Sequence, residues 1–283
     1  MKKTKIGFVG AGNMAHSLIK GLLADNYPPE CIWATNRNPQ KRSMLQALGI
    51  HIFSDNRLLL CHVDVLVLAV KPQQLQAVCS EIAESVQEKR PLIVCIAAAV
   101  NLETLANYFQ QAPHPHNKLM NNLALVRAMP NTPASVRCGA TGLWANPYCS
   151  PQQKELAAHL FRSTGIVVWA ESEEEIDLIT ALSGTGPAYF FLLIEALQKA
   201  AVELGLAQTT AAQLSLRTAL GAARMATETT DTINILKEKV TSPGGTTAAA
   251  LACLSAGGFS TLIKNAVVAA QQRAKKMAEQ LEQ

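Results

Sequence analysis

The sequence predicts an α/β fold in which a doubly wound parallel sheet is followed by an all-helical domain. Short β-branched runs alternate with amphipathic stretches up to about residue 170, a rhythm typical of strands connected by helices. No strand pattern follows residue 171. The chain is 49% hydrophobic and only 16% charged, so it can bury a large core and is not a disordered protein. We therefore divide its 283 residues into domains over 1–170 and 171–283.

The first domain alternates predicted strands with predicted helices. The strands are rich in Val, Ile and Leu, as expected of strands that a parallel sheet buries on both faces. They are Ile6–Val9, Ile32–Ala34, Val65–Val70, Leu92–Ile96, Leu125–Ala128 and Ile166–Trp169. The helices between them are Met14–Ala24, Gln40–Leu48, Pro72–Val86 and Pro151–Phe161.

The second domain opens with the acidic cluster 171–175, whose carboxylates favour the positive end of a helix dipole. Its predicted helices are rich in Ala and apolar on more than one face, so they must be buried. They are Glu173–Leu182, Pro187–Leu204, Thr209–Thr227, Thr232–Lys239, Thr246–Leu254 and Phe259–Leu281. So short a helical segment makes a thin core alone, and we infer that it packs against a second copy in a homodimer. The alternative is a monomer whose helical half covers the first domain.

Composition limits the partners and the compartment. The net charge is +4 and the basic residues are scattered, which does not indicate nucleic-acid binding. No uninterrupted apolar stretch approaches the about 18 residues that a membrane span needs. Seven cysteines without a CxxC pair are typical of reduced thiols in a cytoplasmic protein. The histidines have no zinc-binding spacing, and His114 and His116 lie in a Pro-rich segment, so no metal site is predicted.

A glycine-rich turn follows the first strand and opens the first helix. It reads Gly10-Ala11-Gly12-Asn13-Met14-Ala15. In this pattern the first glycine permits the tight turn, the second lets backbone approach a pyrophosphate, and the small Ala15 lets the helix pack on the sheet. Because the turn lies in the first unit of a chain that keeps alternating, it predicts a Rossmann-like dinucleotide site. The alternative is a glycine turn with a structural role only.

The end of the second strand favours NADP over NAD, although NAD stays an alternative. NAD sites usually place a carboxylate there, on the ribose hydroxyls. This chain has Asn36 and Arg37, with Lys41 close behind, and therefore no carboxylate in that segment to repel a 2′-phosphate. We expect Asn36 and Arg37 to contact the phosphate. The alternative is that Arg37 and Lys41 are ordinary solvated charges.

Two further strand ends should line the same crevice, because ligands bind at the carboxyl edge of such sheets. One is Ala69-Val70-Lys71-Pro72 and the other contains Ala97, Ala98 and Ala99. The small residues leave room for a nicotinamide ring. Lys71 either faces the cofactor or is a surface lysine that precedes a helix.

A second glycine-rich turn lies between two helices of the second domain. Gly244 and Gly245 are followed by Thr246 and Thr247 at a helix start. This arrangement exposes backbone N–H groups together with hydroxyls, which suits a small carboxylate. Taken alone, it could equally be a helix cap after a flexible turn.

Five segments stand in order along essentially the whole chain, and the last of them contains this turn. They are Gly7–Ala15, Leu68–Pro72, Met129–Pro133, Ala181–Tyr189 and Val240–Thr247. Together they resemble the pyrroline-5-carboxylate reductase family. The resemblance implies a dinucleotide domain, and a helical dimerisation domain that forms a homodimer or a larger ring of dimers. It also implies reduction of Δ1-pyrroline-5-carboxylate to L-proline by NAD(P)H, the last step of proline biosynthesis.

The resemblance also implies roles for individual residues. The turn around Gly245 and Thr246 holds the substrate carboxylate, and Thr247 is the catalytic candidate that faces the imine nitrogen. Asn56, after a short third strand, matches a cofactor position. Glu173 and Lys239 match positions that line the site, the first toward the substrate and the second toward the cofactor.

The chain departs from the family pattern at three positions. Ala99 replaces a common glycine and would be strained if the backbone there has a positive φ. Thr185 replaces a common serine, and Lys199 stands where an acidic residue is frequent.

Two other functions share parts of this pattern. A β-hydroxyacid dehydrogenase has the same two-domain plan, but it needs a catalytic lysine soon after a Gly-rich helix start. Here Gly186 is followed by no lysine until Lys199. A non-catalytic, NADP-sensing dimer is the second alternative, and the intact substrate turn argues against it.

Overall fold

The computed structural model describes residues 3–111 and 122–282. Backbone contacts group them into two compact units, the first comprising Met1–Thr185 with Ala270–Gln283 and the second Gly186–Ala269. The division predicted between residues 170 and 171 stays a prediction.

The first unit contains an eight-stranded sheet, which confirms the predicted α/β class. Its strands are β1 Ile6–Val9, β2 Ile32–Thr35, β3 His51–Phe53, β4 Val65–Leu68, β5 Leu92–Cys95, β6 Leu125–Met129, β7 Gly139–Ala145 and β8 Gly165–Trp169. Their order across the sheet is β3-β2-β1-β4-β5-β6-β7-β8. All neighbours run parallel except β6 and β7, which are antiparallel. The sheet is therefore dominated by parallel pairs, as predicted, with one antiparallel pair that the sequence did not predict.

Helices cover both faces of this sheet. They are α1 Asn13–Ala24, α2 Pro39–Gln46, α3 Asn56–Leu60, α4 Pro72–Lys89, α5 Leu102–Gln110, α6 Pro151–Arg162 and α7 Glu173–Ile179. One core layer contains Leu66, Ile82 and Phe109, and the other contains Phe8 and Phe161. The strands β1, β2, β4 and β5 are buried on both faces, as their continuous apolar sequences require. The edge strands β3 and β8 are not, and Ile166 and Val168 of β8 are exposed.

The register of the sheet aligns four strand ends. Val9 at the end of β1 pairs with Thr35 of β2 and with Leu68 of β4, and Leu68 pairs with Cys95 of β5. The loops that follow these residues therefore leave the sheet at one level. They are the loops that the sequence assigns to the cofactor.

The residue patterns did not predict several elements with weak local signals, although the family resemblance implied a short third strand before Asn56, and β3 is that strand. The strand β3 is only three residues long, and β7 reads Gly-Ala-Thr-Gly-Leu-Trp-Ala, with two glycines and one β-branched residue. The short helices α3 and α5 also lacked a prediction. After α7 the predicted helix 173–182 changes into a π-helical turn over Thr180–Gly184.

The second unit is made of helices. They are α8 Gly186–Glu203, α9 Gln208–Glu228, α10 Ile233–Lys239, α11 Thr246–Ala256 and α12 Phe259–Glu282, whose last residues belong to the first unit. Within this one chain the helices leave large apolar side chains exposed, with Phe190, Phe191 and Leu192 each about two-thirds accessible. Such a surface on a folded chain marks an interaction site.

The helices that carry this apolar surface bear on the expectation that no segment is long and apolar enough to span a membrane. By length and composition alone, the helical run Glu173–Glu203 could cross a membrane, although no uninterrupted apolar stretch of that length exists in the sequence. The helix pair Thr246–Ala256 and Phe259–Leu281, taken together, passes the same test. Helices that pack between subunits have this composition too, so the test does not distinguish the two environments.

Candidate functional site

The first part of the site is the turn after β1, where Gly10 has a structural task. Its φ is +83°, a left-handed conformation that favours glycine. A Cβ on Gly10 would lie 2.4 Å from Val70 Cγ1 and 2.9 Å from the Val70 backbone nitrogen. Gly10 therefore permits both the turn and the close approach of the loop after β4.

Gly12 has a different environment. It caps α1 with an ordinary φ of −81°, and the nearest atom to a Cβ there would be the Gly10 carbonyl oxygen at 3.9 Å. The space beside Gly12 is open, and no side chain caps the first turn of α1. Backbone N–H groups at Asn13 and Met14 are thus available to an anion at the positive end of the helix. Ala15 is fully buried, as its small size predicted.

The loop after β2 is tied to this turn. Asn36 Nδ2 donates to the Ala11 carbonyl at 2.8 Å, and Asn36 Oδ1 accepts from the Asn38 backbone at 2.9 Å. Arg42 Nη1 donates to the Asn36 carbonyl at 3.2 Å. The Arg37 side chain is 84% exposed, so the guanidinium can meet a phosphate from solvent. Lys41 lies nearby in a cleft of about 250 Å³ lined also by Ala11, Gly12, Asn13, His16, Ser17, Met44 and Leu45.

Asn56, the first residue of α3, is almost fully buried and held from two sides. Thr35 Oγ1 donates to Asn56 Oδ1 at 2.6 Å, and Asn56 Nδ2 donates to both carboxylate oxygens of Glu81 at 3.3 Å. Glu81 Oε2 is also 3.8 Å from Arg37 Nη2. The sequence showed no carboxylate at the end of β2, but the fold brings one there from α4. Sequence reasoning missed it because Glu81 lies within a helix, well away from β2 in the chain.

The loops after β4 and β5 complete the crevice. The Ala69 backbone nitrogen donates to the Val9 carbonyl at 2.8 Å, which holds the start of the segment Ala69–Pro72 beside the glycine turn. Lys71 is exposed and precedes α4, and no contact distinguishes its two interpretations. Ala97 and Ala99 are buried and Ala98 is half-buried. Ala99 has a φ of +63°, so the conditional expectation of strain at this position is confirmed.

Glu173 belongs to a buried ionic cluster behind this last loop. Its Oε1 accepts from the Leu102 backbone nitrogen at 2.7 Å, at the start of α5, and lies 3.5 Å from Arg127 Nη1. Arg127 Nη2 in turn donates to Asp177 Oδ1 at 2.6 Å. Burial raises the pKa of the Glu173 carboxyl, and the Leu102 N–H and the Arg127 guanidinium partly oppose that shift. The cluster fixes where the chain leaves the segment Ala97–Ala99.

Sequence reasoning missed the two other charged members of this cluster. Arg127 is 4% exposed and Asp177 is 8% exposed. The available signal was a charge inside an otherwise apolar strand, Leu-Val-Arg-Ala-Met, since charged residues are almost never fully buried without a partner.

The segment Met129–Pro133 supports the π-helical turn. Asn131 Nδ2 donates to the Ser183 carbonyl at 3.0 Å, and Asn131 Oδ1 accepts from the Ala140 backbone at 2.9 Å. A Cβ on Gly184 would lie 2.6 Å from Met129 Cε. Both of these quoted motifs therefore shape the backbone, and π-helical turns of this kind are frequent at functional sites.

The candidate substrate turn lies in the second unit. Gly244 has a φ of +70°, and Gly245 caps α11 with no side-chain hydrogen bond. The Gly245 nitrogen itself donates to the Ser242 carbonyl at 3.0 Å, so the donors left for a ligand are those of Thr246 and Thr247. Thr247 is half-buried, and Lys239 forms an ion pair with Asp231.

The predicted site residues thus form two groups. Those of the first unit meet along one sheet edge and around the Glu173 cluster, whereas Lys239 and the segment Gly244–Thr247 form the group in the second unit. His114 and His116 lie outside the described residues. Within the described residues, no three His, Cys, Asp or Glu side chains are grouped as a metal site requires.

Comparisons with known proteins identify both halves of the chain. Residues 173–277 match the family model for pyrroline-5-carboxylate reductase dimerisation, and residues 5–99 match the model described as NADP oxidoreductase, coenzyme F420-dependent. A pyrroline-5-carboxylate reductase of Pseudomonas aeruginosa is 43% identical over 100% of both chains.

Solved structures agree with this match. The pyrroline-5-carboxylate reductase of Coxiella burnetii is 43% identical, with a TM-score of 0.91 over 98% of this chain and 99% of that one. The pyrroline carboxylate reductase of Plasmodium falciparum, solved with NADP bound, is 29% identical, with a TM-score of 0.81 over 98% and 99% of the two chains.

Proposed function

The chain belongs to the pyrroline-5-carboxylate reductase family, and we infer that it reduces Δ1-pyrroline-5-carboxylate to L-proline with NADPH. The full-length match to reductases at 43% identity carries this conclusion. The same match argues against the β-hydroxyacid dehydrogenase alternative. It also argues against a non-catalytic dimer, since relatives at 35–43% identity over nearly the full chain are named as reductases.

The cofactor lies along the carboxyl edge of β1, β2, β4 and β5. Its pyrophosphate lies over the start of α1, where the open space at Gly12 allows close approach. Arg37 and Asn36 contact the 2′-phosphate, and Asn56 contacts the adjacent ribose. Ala97, Ala98 and the segment Ala69–Pro72 border the nicotinamide end.

The chemistry needs orientation more than a strong acid. When bound, NADPH supplies a hydride to the carbon of the imine C=N bond, the electron pair of that bond moves to nitrogen, and a proton there completes the secondary amine. A protonated imine is already electrophilic, so holding the reacting atoms about 3–3.5 Å apart is the main contribution of the protein. The cluster of Glu173, Arg127 and Asp177 serves this purpose by fixing the loop that ends at Leu102.

The substrate carboxylate binds the backbone N–H groups of Thr246 and Thr247 at the positive end of α11. Thr247 places its hydroxyl near the imine nitrogen as a hydrogen-bond partner. A threonine hydroxyl is a weak acid, so this role is positioning or relay of a proton. Gly245 contributes by lacking a side chain, because a Cβ there would lie 2.4 Å from Ser242 Oγ. The family resemblance assigns Glu173 to the substrate and Lys239 to the cofactor.

The enzyme acts as a homodimer in the cytoplasm. The match to a dimerisation family over residues 173–277 and the exposed apolar side chains of α8 support the dimer. Buried, unpaired cysteines such as Cys79, Cys95 and Cys149 support a reducing compartment. A ring of dimers is compatible with both features and is distinguishable by light scattering.

Steady-state oxidation of NADPH in the presence of Δ1-pyrroline-5-carboxylate tests the function. We expect turnover that requires both compounds and yields proline. Thr247→Ala should lower kcat/KM by about 1–3 kcal/mol of transition-state stabilisation, while Thr247→Ser should restore most of it. Proline should still compete in the alanine variant, since the backbone donors remain. A chain that binds NADPH but does not turn over this imine contradicts the proposed reaction, and a fully active alanine variant contradicts the role of Thr247 alone.

A further inference from the structure

A carboxylate lies where the adenosine ribose of the cofactor is expected. Glu81 comes from the middle of α4, yet both of its oxygens are 3.3 Å from Asn56 Nδ2. Asn56 in turn accepts from Thr35, the last residue of β2. The carboxylate is therefore held at the end of β2, the position from which NAD-binding sheets usually direct an acidic side chain at the ribose hydroxyls.

The same carboxylate is close to the proposed phosphate ligand. Glu81 Oε2 lies 3.8 Å from Arg37 Nη2. A 2′-phosphate on that guanidinium would come close to Glu81 and share its cation with it. A phosphate monoester carries nearly two negative charges at neutral pH, whereas the 2′-hydroxyl of NADH carries none and can donate a hydrogen bond to a carboxylate.

From this geometry we propose that Glu81 is a specificity-determining residue that lowers the affinity for the 2′-phosphate and so keeps the site open to NADH. This inference rests on the proposed function, in particular on the placement of the 2′-phosphate at Arg37. The arginine after β2 is thus accompanied by a carboxylate that α4 supplies.

The test is Glu81→Gln in the full-length protein. Glutamine keeps the length of the side chain and an oxygen that can accept from Asn56, but it removes the charge. We expect the affinity for NADPH relative to NADH to rise about three- to ten-fold. The repulsion between the Glu81 carboxylate and the phosphate is only partly screened, so its removal is measurable, but Glu81 is partly exposed, so the gain is modest. The matched control is Glu88→Gln, which removes a charge from an exposed position two turns further along α4.

Binding of 2′,5′-ADP and 5′-ADP provides a readout that needs no turnover. Glu81→Gln should bind 2′,5′-ADP more tightly than the unaltered protein does and should bind 5′-ADP equally or more weakly. The gain in affinity for 2′,5′-ADP should shrink between about 0.1 M and 1 M salt, because the Debye length falls from about 10 Å to 3 Å. Equal changes for both nucleotides would mean that Glu81 only orients Asn56, and would overturn the proposal, as would the same gain in Glu88→Gln.

Arg37→Ala separates this inference from the function on which it rests. It should weaken 2′,5′-ADP and reduce the gain from a second substitution at Glu81. If Arg37→Ala leaves 2′,5′-ADP binding unchanged, the phosphate lies elsewhere and the inference about Glu81 fails. Turnover of the imine by the unaltered protein would still stand in that case, so the two failures are distinguishable.

Discussion

Substitution of alanine at the two glycines of the cofactor turn should affect different properties, stability at Gly10 and cofactor affinity at Gly12. Gly10→Ala forces a side chain into a left-handed conformation, which costs about 1–2 kcal/mol. Its Cβ would also lie 2.4 Å from Val70 Cγ1 and 2.9 Å from the Val70 nitrogen, and overpacking of this kind costs about 1–3 kcal/mol. We therefore expect the protein to lose about 2–5 kcal/mol of stability.

Gly12→Ala meets no such obstacle, because φ is ordinary and the nearest atom is 3.9 Å from the new Cβ. Its stability should change by less than about 1 kcal/mol, since the weaker helix cap offsets the lower entropy of the unfolded chain. The methyl group does enter the space proposed for the pyrophosphate, so the Kd for NADPH should rise at least about ten-fold.

Thermal unfolding without cofactor measures the first effect, and fluorescence titration with NADPH measures the second. Both variants are compared at one protein concentration, because the Tm of an oligomeric protein depends on it. The assignment of a structural role to Gly10 and a binding role to Gly12 is refuted if Gly12→Ala unfolds as readily as Gly10→Ala, or if it binds NADPH as the unaltered protein does.

Three further perturbations concern the cluster of Glu173, Arg127 and Asp177 and the loop after β5. Asp177→Ala leaves a buried guanidinium without its 2.6 Å partner and should cost about 3–5 kcal/mol in thermal unfolding, whereas Arg162→Ala, in an exposed ion pair, should leave Tm nearly unchanged. Because burial raises the pKa of Glu173, the folded state keeps its proton to a higher pH than the unfolded state, so stability falls as pH rises through the raised pKa. Glutamine in Glu173→Gln has no proton to lose, so the Tm of this variant should rise relative to the Tm of the unaltered protein as pH increases. A Tm difference between the two proteins that does not change with pH would contradict this reasoning. Ala99→Gly should lower the free energy of unfolding by less than about 1 kcal/mol, because it releases backbone strain. Ala97→Gly removes a similarly buried methyl group without releasing strain and should cost about 1–2 kcal/mol. Equal losses of stability in the two variants would mean that Ala99 is unstrained.

Local patterns in the sequence determined the elements whose causes are local. The alternation of apolar strands and amphipathic helices predicted six of the eight strands, because burial on both faces imposes an apolar run that is visible within a few residues. The glycine turn after β1 was also visible, since it depends on the backbone conformation of one or two residues. The strain at Ala99 was expected only through the family resemblance, in which a glycine is common at that position. The alternation did not predict β3 and β7, which are short or rich in glycine and are held mainly by their neighbours; the family resemblance alone implied β3.

The tertiary structure alone decided which distant charges meet. Glu81 reaches the end of β2 from α4, and Glu173 reaches the start of α5 across 71 residues of chain. The sequence gives no spacing rule for such contacts, because they depend on how helices pack against the sheet and on the order of the strands. The buried partners Arg127 and Asp177, 50 residues apart, became a pair only when β6 and α7 were packed together. Those contacts position the loops that we propose to surround the cofactor. The sequence predicted which residues lie in these loops, whereas the fold decided which charges meet beside them.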